Sequence, residues 1–230
     1  IQQLTNYFPE EKENLFNYCQ KIKTVCKAFP LYNLESEGKY DDEILALNAK
    51  ETIDSFTQNE KLKAVLAGSN FLYAGIADKS PFYVHALVVN SYIESSWRCI
   101  NGGSQITKQL LKQLKKYDGE FFKHKEVIKF EVENQKVNSV KMKDGTEVLG
   151  TYFISNIEPK TTLKMAGQEN FRKPFFNRIQ NLENVFSAFS LYIVFKPKTF
   201  KYINHNYYHF KSQNEVWTAH DYDENSWPKT

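Results

Sequence analysis

The sequence predicts an α+β fold in which helical segments and an antiparallel or mixed sheet surround an inserted helix-plus-hairpin unit. Three observations predict this class. Apolar residues recur at helical spacing through most of residues 1–99. Between residues 100 and 157 a helical pattern gives way to short strands joined by tight turns. Apolar runs with the composition of buried strands then follow from residue 186 onward.

The first region is mainly helical. Pro9 and the acidic residues after it are typical of a helix start. Further helices are predicted to begin near Asn48 and at Asn59, the second ending at Gly68. The apolar stripe of the first long helix runs up to Pro30 and comprises Leu15, Tyr18, Cys19, Ile22, Val25, Cys26 and Phe29. Each of these helices is expected to bury one face.

Residues 81–97 are apolar nearly all round, which predicts a helix buried on most sides. This helix carries His85 and Asn90 into the interior. The simplest interpretation of His85 is a core histidine whose ring is satisfied by a backbone carbonyl. Trp97 and Arg98, just before the glycines, either line the mouth of a pocket or close the packing.

A glycine turn begins the central unit. Gly102 and Gly103 have no Cβ, so the backbone there can take positive φ and approach another group closely. Ser104 then stands where a helix N-cap belongs. The helix that follows has lysines mostly on one face and an apolar opposite face, which is expected to be buried and comprises Ile106, Leu110, Leu111, Leu114 and Tyr117.

Strands follow this helix. Asp118 and Gly119 end it, and residues 128–133 then alternate between apolar and charged, as in a strand with one solvated face. A second strand is predicted over 137–142, with Asp144-Gly145 as a strong hairpin turn. A third apolar strand is predicted over 148–154.

The last region is predicted to return to helices and then to a sheet. Helices are expected from Glu158 and over 171–179. Three buried strands are then predicted at 186–195, 207–210 and 216–219, with the earlier helices packed over one face of their sheet.

Composition excludes several function classes. The 230 residues are 41% hydrophobic and 15% aromatic with a net charge of only +3, so the chain is globular and lacks the positive charge that nucleic-acid binding requires. Three cysteines do not form a disulfide framework, which favours a reducing, cytoplasmic compartment. His205 and His209 lie in a predicted turn and strand, so no metal site is predicted. No catalytic residue is predicted from any motif.

Several motifs occur together in one order: Gly-Gly-Ser at 102–104, an amphipathic helix, Asp-Gly, a strand with Val127 and Ile128, a hairpin, and Phe-Ile-Ser-Asn at 153–156. This order resembles the middle of the phytoene desaturase, carotenoid isomerase and retinol saturase group of flavoproteins. The stretch Pro-Phe-Tyr-Val-His-Ala-Leu-Val-Val-Asn-Ser-Tyr at 81–92 is most similar to the retinol saturase branch. That family often has an aromatic-Pro pair before Gly-Gly, where this chain has Ile100-Asn101, so the resemblance does not specify the substrate.

The resemblance implies an FAD-linked reductase-like fold in three parts. Residues 1–98 would be the helical part of a substrate domain, 99–166 a portion of the FAD-binding domain, and 167–230 the sheet part of the substrate domain. It implies FAD as cofactor, with NAD(P)H as a further reductant, and an apolar isoprenoid lipid such as a carotenoid or retinoid as substrate. Peripheral membrane association of the full-length protein is also implied.

The resemblance also implies site residues. The cofactor would lie near Gly102, Gly103, Ser104, Val127, Ser155 and Asn156, and the substrate near His85, Asn90, Tyr92 and Trp97. The dinucleotide fingerprint Gly-x-Gly-x-x-Gly is missing from this chain. We therefore expect the chain to be the central fragment of a longer enzyme and to bind FAD weakly or not at all by itself.

Three other interpretations stay open. The first is a flavin amine oxidase-like enzyme, since the same central architecture serves amine oxidation. The second is a non-enzymatic module that binds an apolar ligand. The third is an interaction domain whose amphipathic helices bind a partner.

Overall fold

The computed structural model describes residues 2–184, 188–218, 221 and 224–226. The chain divides into two compact units, one formed by Ile1–Trp97 with Val185–Thr230 and the other by Arg98–Asn184. Helices account for 46% of the structure and strands for 9%, the strands forming one small antiparallel sheet, so the α+β prediction is confirmed at this coarse level. None of the helices in the described ranges has the length and apolar character that crossing a bilayer requires.

The α-helices of the first unit all lie in its N-terminal part, before residue 98, over the described ranges. Its helices are α1 (Gln2–Tyr7), α2 (Lys12–Lys27), α3 (Asp42–Leu45), α4 (Ala49–Asp54), α5 (Glu60–Ala67) and α6 (Phe82–Glu94). The predicted helix starts are confirmed. The side chain of Asn48 accepts a hydrogen bond from the backbone N–H of Glu51, and that of Asn59 from Leu62, so each caps its helix.

The core of the first unit lies between α2 and α6. Leu15, Ile22 and Val25 of α2 are almost fully buried, and they meet Phe82 and Ala86 of α6 in one cluster. The apolar stripe predicted for α2 is therefore confirmed. By contrast, α6 is not buried all round, because Tyr92 and Ile93 near its C-terminus are about half exposed.

The second unit contains α7 (Ser104–Lys116), β1 (Val127–Glu133), β2 (Lys136–Met142), β3 (Glu147–Leu149), α8 (Pro159–Ala166) and α9 (Lys173–Gln180). The three strands form an antiparallel sheet in the order β1-β2-β3. Asn134 and Gln135 take positive φ and close the first hairpin, and Gly145 closes the second with a φ of 85°. The predicted hairpin at Asp144-Gly145 is thus confirmed.

Several details of this unit differ from the prediction. Gly103 is the N-cap of α7 and Ser104 is its first residue. The strand predicted over 148–154 ends at Leu149, because beyond Gly150 the backbone forms no further ladder with β2. The apolar face of α7 is not buried: Ile106 and Leu110 are more than half exposed, since no element in the described part of this unit covers them.

The predicted C-terminal sheet is wrong for the residues that the structure describes. Residues 188–195, 207–210 and 216–218 form no strand, because a strand needs a neighbouring ladder to satisfy its backbone groups and none lies beside them. Residues 186, 187 and 219 of the predicted strands lie outside the described ranges. Residues 167–184 belong to the second unit, where α9 packs against α8.

Candidate functional site: an apolar groove beside a buried histidine

An open groove with a volume of about 730 Å³ lies in the first unit. Its walls come from α1, α2, α5, α6 and the segment 208–216. The apolar lining residues are Leu4, Ala64, Val65, Leu66, Val89, Ile93, Phe210 and Val216. The polar ones include Tyr18, Cys19, Lys61, Ser69, His209, Ser212 and Gln213. A concave, mostly apolar site with a few polar groups is the usual form of a small-ligand site.

Helical spacing explains two of the walls. On α5, Lys61, Ala64 and Val65 recur at intervals of three and four residues, so they share one face. On α6, Val89 and Ile93 are four residues apart and face the same side. The partial exposure of Ile93 follows from this position at the open groove.

The C-terminal wall is fixed to the helices by two contacts. The ring of Phe210 stacks on Phe71, with centroids 5.0 Å apart and planes 9° from parallel. The side-chain amide of Asn70 donates a hydrogen bond to the carbonyl of Val216, while its Oδ1 is buried without a partner in the described structure. These contacts hold residues 210–216 against the start of the segment that follows α5.

His85 lies fully buried behind the groove. Its Nε2 is 2.6 Å from the hydroxyl of Tyr18, and its Nδ1 is 3.0 Å from the hydroxyl of Tyr73. The sequence predicted a backbone carbonyl as partner of this ring, and the structure supplies two tyrosine hydroxyls instead. Because Tyr18 also lines the groove, the network reaches the groove wall, although His85 itself is not a lining residue.

Burial sets the protonation states of this network. It lowers the pKa of His85 to about 4 and raises the pKa values of Tyr18 and Tyr73 above that of free tyrosine. At neutral pH all three groups are therefore uncharged. A neutral imidazole has one donor and one acceptor, so one tyrosine donates to the ring and the other accepts from it.

The other predicted substrate residues occupy different surroundings. Asn90 is buried, and its amide donates to the hydroxyl of Tyr32 at 3.1 Å and to Glu94 at 2.9 Å. Tyr92 is 48% exposed and Trp97 is 93% exposed. None of the three lines the groove in the described structure. Of the predicted substrate residues in the described structure, His85 is joined by a hydrogen bond to a lining residue, Tyr18, whereas Asn90 is bonded to Tyr32 and Glu94, which do not line the groove.

The predicted cofactor residues all lie in the second unit. Gly102 has a φ of 94°, and neither Gly102 nor Gly103 has an atom within 4 Å of the position that a Cβ would occupy. Ser104 begins α7 directly after them. An open glycine backbone at a helix N-terminus suits the close approach of a flat or anionic group, so these residues fit the cofactor that the resemblance implies.

The remaining predicted cofactor residues are not joined to this turn by hydrogen bonds in the described structure. Val127 begins β1 and pairs with Met142. The hydroxyl of Ser155 lies 2.8 Å from that of Thr162, and Asn156 is exposed before α8. Over the described ranges, His, Cys, Asp and Glu side chains form no group of three that could hold a metal ion.

Sequence reasoning missed Lys61 and Phe210 as groove residues and Tyr18 as the partner of His85. Lys61 is one of many lysines on solvated helix faces, and nothing local distinguishes it. The sequence predicts Tyr18 as part of the core stripe of α2, and the structure confirms it. A buried tyrosine hydroxyl needs a hydrogen-bond partner, and this need is the signal that could have indicated a polar residue such as His85 beside it. No family model matches the chain, and no solved structure matches it.

Proposed function

We propose that the chain is the central part of an FAD-dependent oxidoreductase that acts on carbon–carbon double bonds of an isoprenoid lipid such as a carotenoid or retinoid. The observation that carries the proposal is the apolar groove. Its lining residues come from two segments that precede and follow, in the sequence, a separate unit with an open glycine turn. The family that this chain resembles has its helical substrate region and the inserted piece of its flavin domain in the same order along the chain.

The groove would hold the lipid. Val65, Val89 and Phe210 present carbon surfaces that exclude water and can align an extended polyene. The uncharged network behind Tyr18 adds no ion that would hold water in this wall. The flavin, when bound, would supply the hydride chemistry, and the residues of this chain would supply binding and orientation.

The glycine turn would lie against the cofactor. Gly103 has a φ of −66°, which alanine also adopts, and its Cβ position is empty. Backbone strain and packing therefore give no reason for a glycine there. Room for a bound group is the reason that the proposal offers, because any side chain would fill the space that the group needs.

The exposed apolar face of α7 supports the inference that the chain holds only a portion of a flavin domain. Ile106, Leu110 and Leu114 form an apolar stripe on this helix, and each is more than a third exposed. An amphipathic helix of this kind gains its stability by burying the stripe. We infer that the dinucleotide-binding part of the parent enzyme covers it.

The test is the absorbance spectrum of the parent protein and of its Gly103→Ala variant. The parent should carry flavin, and Gly103→Ala should lose it while the 230-residue chain with the same change unfolds at the unchanged denaturant midpoint. Gly145→Ala is the control for a loss of stability alone, since its φ of 85° strains an alanine but the residue lies outside the predicted flavin residues, so its flavin content should stay unchanged. A colourless parent would contradict the proposal, as would full flavin content in Gly103→Ala.

One observation favours a second function, a module that binds an apolar ligand without redox chemistry. All the lining residues of the groove belong to the first unit, and none is a predicted flavin residue. The groove can therefore bind a ligand whether or not a flavin is present. A parent that binds a polyene but no flavin would select this alternative.

A further inference from the structure

We propose that the groove of the first unit binds a single-chain amphiphile with an anionic head group, a long-chain polyene or fatty carboxylate, whose carboxylate pairs with Lys61. The inference rests on the proposed function of the groove as a lipid site and adds the chemistry of the head group. It is carried by the placement of one cation at the end of an apolar wall.

Lys61 lies one helical turn before Ala64 and Val65 on the face of α5 that lines the groove. Side chains on a helix tilt toward its N-terminus, so the ammonium group of Lys61 extends beyond the apolar strip rather than over it. A ligand chain lying along this strip would end near a positive charge. An amphiphile with a negative end matches that order of surfaces.

No acidic side chain competes for Lys61 within the groove. The described lining contains neither Asp nor Glu. The acidic residue beside it, Glu60, pairs with Lys63 at 2.7 Å, and Lys61 forms no ion pair in the described ranges. Glu215 directly precedes the lining residue Val216 but does not itself line the groove.

The C-terminal wall offers neutral donors to the same head group. Ser212 has a hydroxyl and Gln213 a side-chain amide, and both line the groove. The short turn that contains Gln213 packs against α5, the helix of Lys61. A carboxylate has two oxygens that can accept several hydrogen bonds, so one lysine and these donors suit it.

The same features disfavour two other ligand classes. A pure hydrocarbon such as a carotene gains nothing from Lys61, so among the lipids of the proposed function the groove favours those that carry an acidic end group, and a cationic amine would be repelled. The cavity volume of about 730 Å³ lies within the usual range for sites that enclose one small ligand. The charge of the head group therefore distinguishes the candidate ligands more sharply than the volume of the groove does.

The experiment is a fluorescence titration of the 230-residue chain with cis-parinaric acid and, separately, with its uncharged methyl ester. The unchanged chain should bind both, the acid more tightly. Lys61→Met should weaken binding of the acid about fivefold, the size expected of one partly exposed ion pair, and leave the ester unchanged. Lys63→Met is the matched control, because Lys63 pairs with Glu60 and does not line the groove.

Val89→Trp separates the two levels of the hypothesis, because it fills the groove from α6 and leaves the Lys61 side chain on α5 in place. Equal binding of the acid and the ester, with neither affinity changed by Lys61→Met, would overturn the pairing of an anionic head group with Lys61. If Val89→Trp then abolishes binding of both probes, the apolar groove is still the lipid site. If neither probe binds the unchanged chain, or Val89→Trp changes nothing, the groove is not a lipid site and the proposed function fails with it. Circular dichroism shows that each variant is folded.

Discussion

The hydroxyl of Tyr18 lies 2.6 Å from Nε2 of His85, which joins the middle of α2 to α6 through a buried hydrogen bond. The other ring nitrogen meets Tyr73, so both polar atoms of a fully buried imidazole have partners. A buried polar group without a partner costs far more than a satisfied one contributes. The network therefore fixes how α2 and α6 pack against each other, as well as filling the core.

Replacing Tyr18 with phenylalanine should destabilise the chain by about 1–3 kcal/mol, because Nε2 of His85 is then buried without a partner. The measurement is urea unfolding followed by circular dichroism. Tyr92→Phe is the control, since Tyr92 is 48% exposed and should change the free energy of unfolding little. Equal unfolding midpoints for the two variants would show that the hydrogen bond does not matter.

The stability of the chain should fall as the pH is lowered from about 6.5 to about 4. Burial lowers the pKa of His85 from 6.5 to about 4, so within this window the unfolded chain binds a proton that the native chain does not. The loss from this residue should total about 3 kcal/mol, with no change from it above pH 6.5. Urea unfolding at several pH values measures it.

His85→Gln should flatten this dependence, whereas His205→Gln should keep it, because His205 is exposed and takes no part in the buried network. Protonation of Asp144 lowers the stability of the chain only at a more acidic pH. Lys125 and Thr146 hold the pKa of its carboxylate below the ordinary value of 3.8, so stability from this group is lost as the pH falls below that value. An unchanged slope in His85→Gln would contradict the assignment.

Truncation of the α2 core should be costly. Ile22 is fully buried, so Ile22→Ala should lower the free energy of unfolding by about 2–5 kcal/mol through lost burial and a residual cavity. Phe16→Ala on the same helix is the control, because Phe16 is 58% exposed and should cost less than about 0.5 kcal/mol. Similar losses in both variants would mean that the buried face of α2 is assigned wrongly.

Local patterns predicted the elements whose causes are local. The stripe from Leu15 to Cys26 follows from helical periodicity, Asn48 and Asn59 are caps of the helices that follow them, and Gly145 closes its hairpin because only a few residue types tolerate its φ. Each of these signals lies within one or two turns of chain. Their structural consequences were therefore visible in the sequence.

The groove could not be predicted in the same way. Val89 and Phe210 both line it although they are far apart in the chain, and no periodicity indicates such a pair. The strand predicted over 186–195 failed for a related reason: β-composition indicates a preference, but a strand forms only where a second strand pairs with it. Tyr192 and Val194 are almost fully exposed in the described part of that segment.

Replacing glycine with alanine should change the free energy of unfolding by different amounts at two positions. Gly145→Ala should destabilise the second unit by about 1–2 kcal/mol, because its φ of 85° places an alanine Cβ in the strained left-handed region. Gly103→Ala should cost less than about 0.5 kcal/mol, since its φ of −66° suits alanine and its Cβ position is empty. Thermal unfolding of the 230-residue chain compares them, and a larger loss in Gly103→Ala would contradict the geometry.

The three cysteines should react with a thiol reagent at separate rates. Cys99 is exposed, whereas Cys19 and Cys26 are buried. Burial raises the pKa of Cys26 to about 11 and that of Cys19 above its ordinary value, so neither forms much of the reactive thiolate near pH 8. Ellman's reagent should therefore label Cys99 fast and the two buried cysteines slowly in the native chain, whereas all three should react fast in denaturant.

Two variants assign the phases of this reaction. Cys99→Ser should abolish the fast phase, and Cys26→Ser should leave it intact. Cys19 lines the groove, so its slow labelling should be slowed more by bound cis-parinaric acid than that of Cys26, which only the general stabilisation of the fold protects. Equal protection of both buried thiols would contradict direct cover of Cys19 by the ligand.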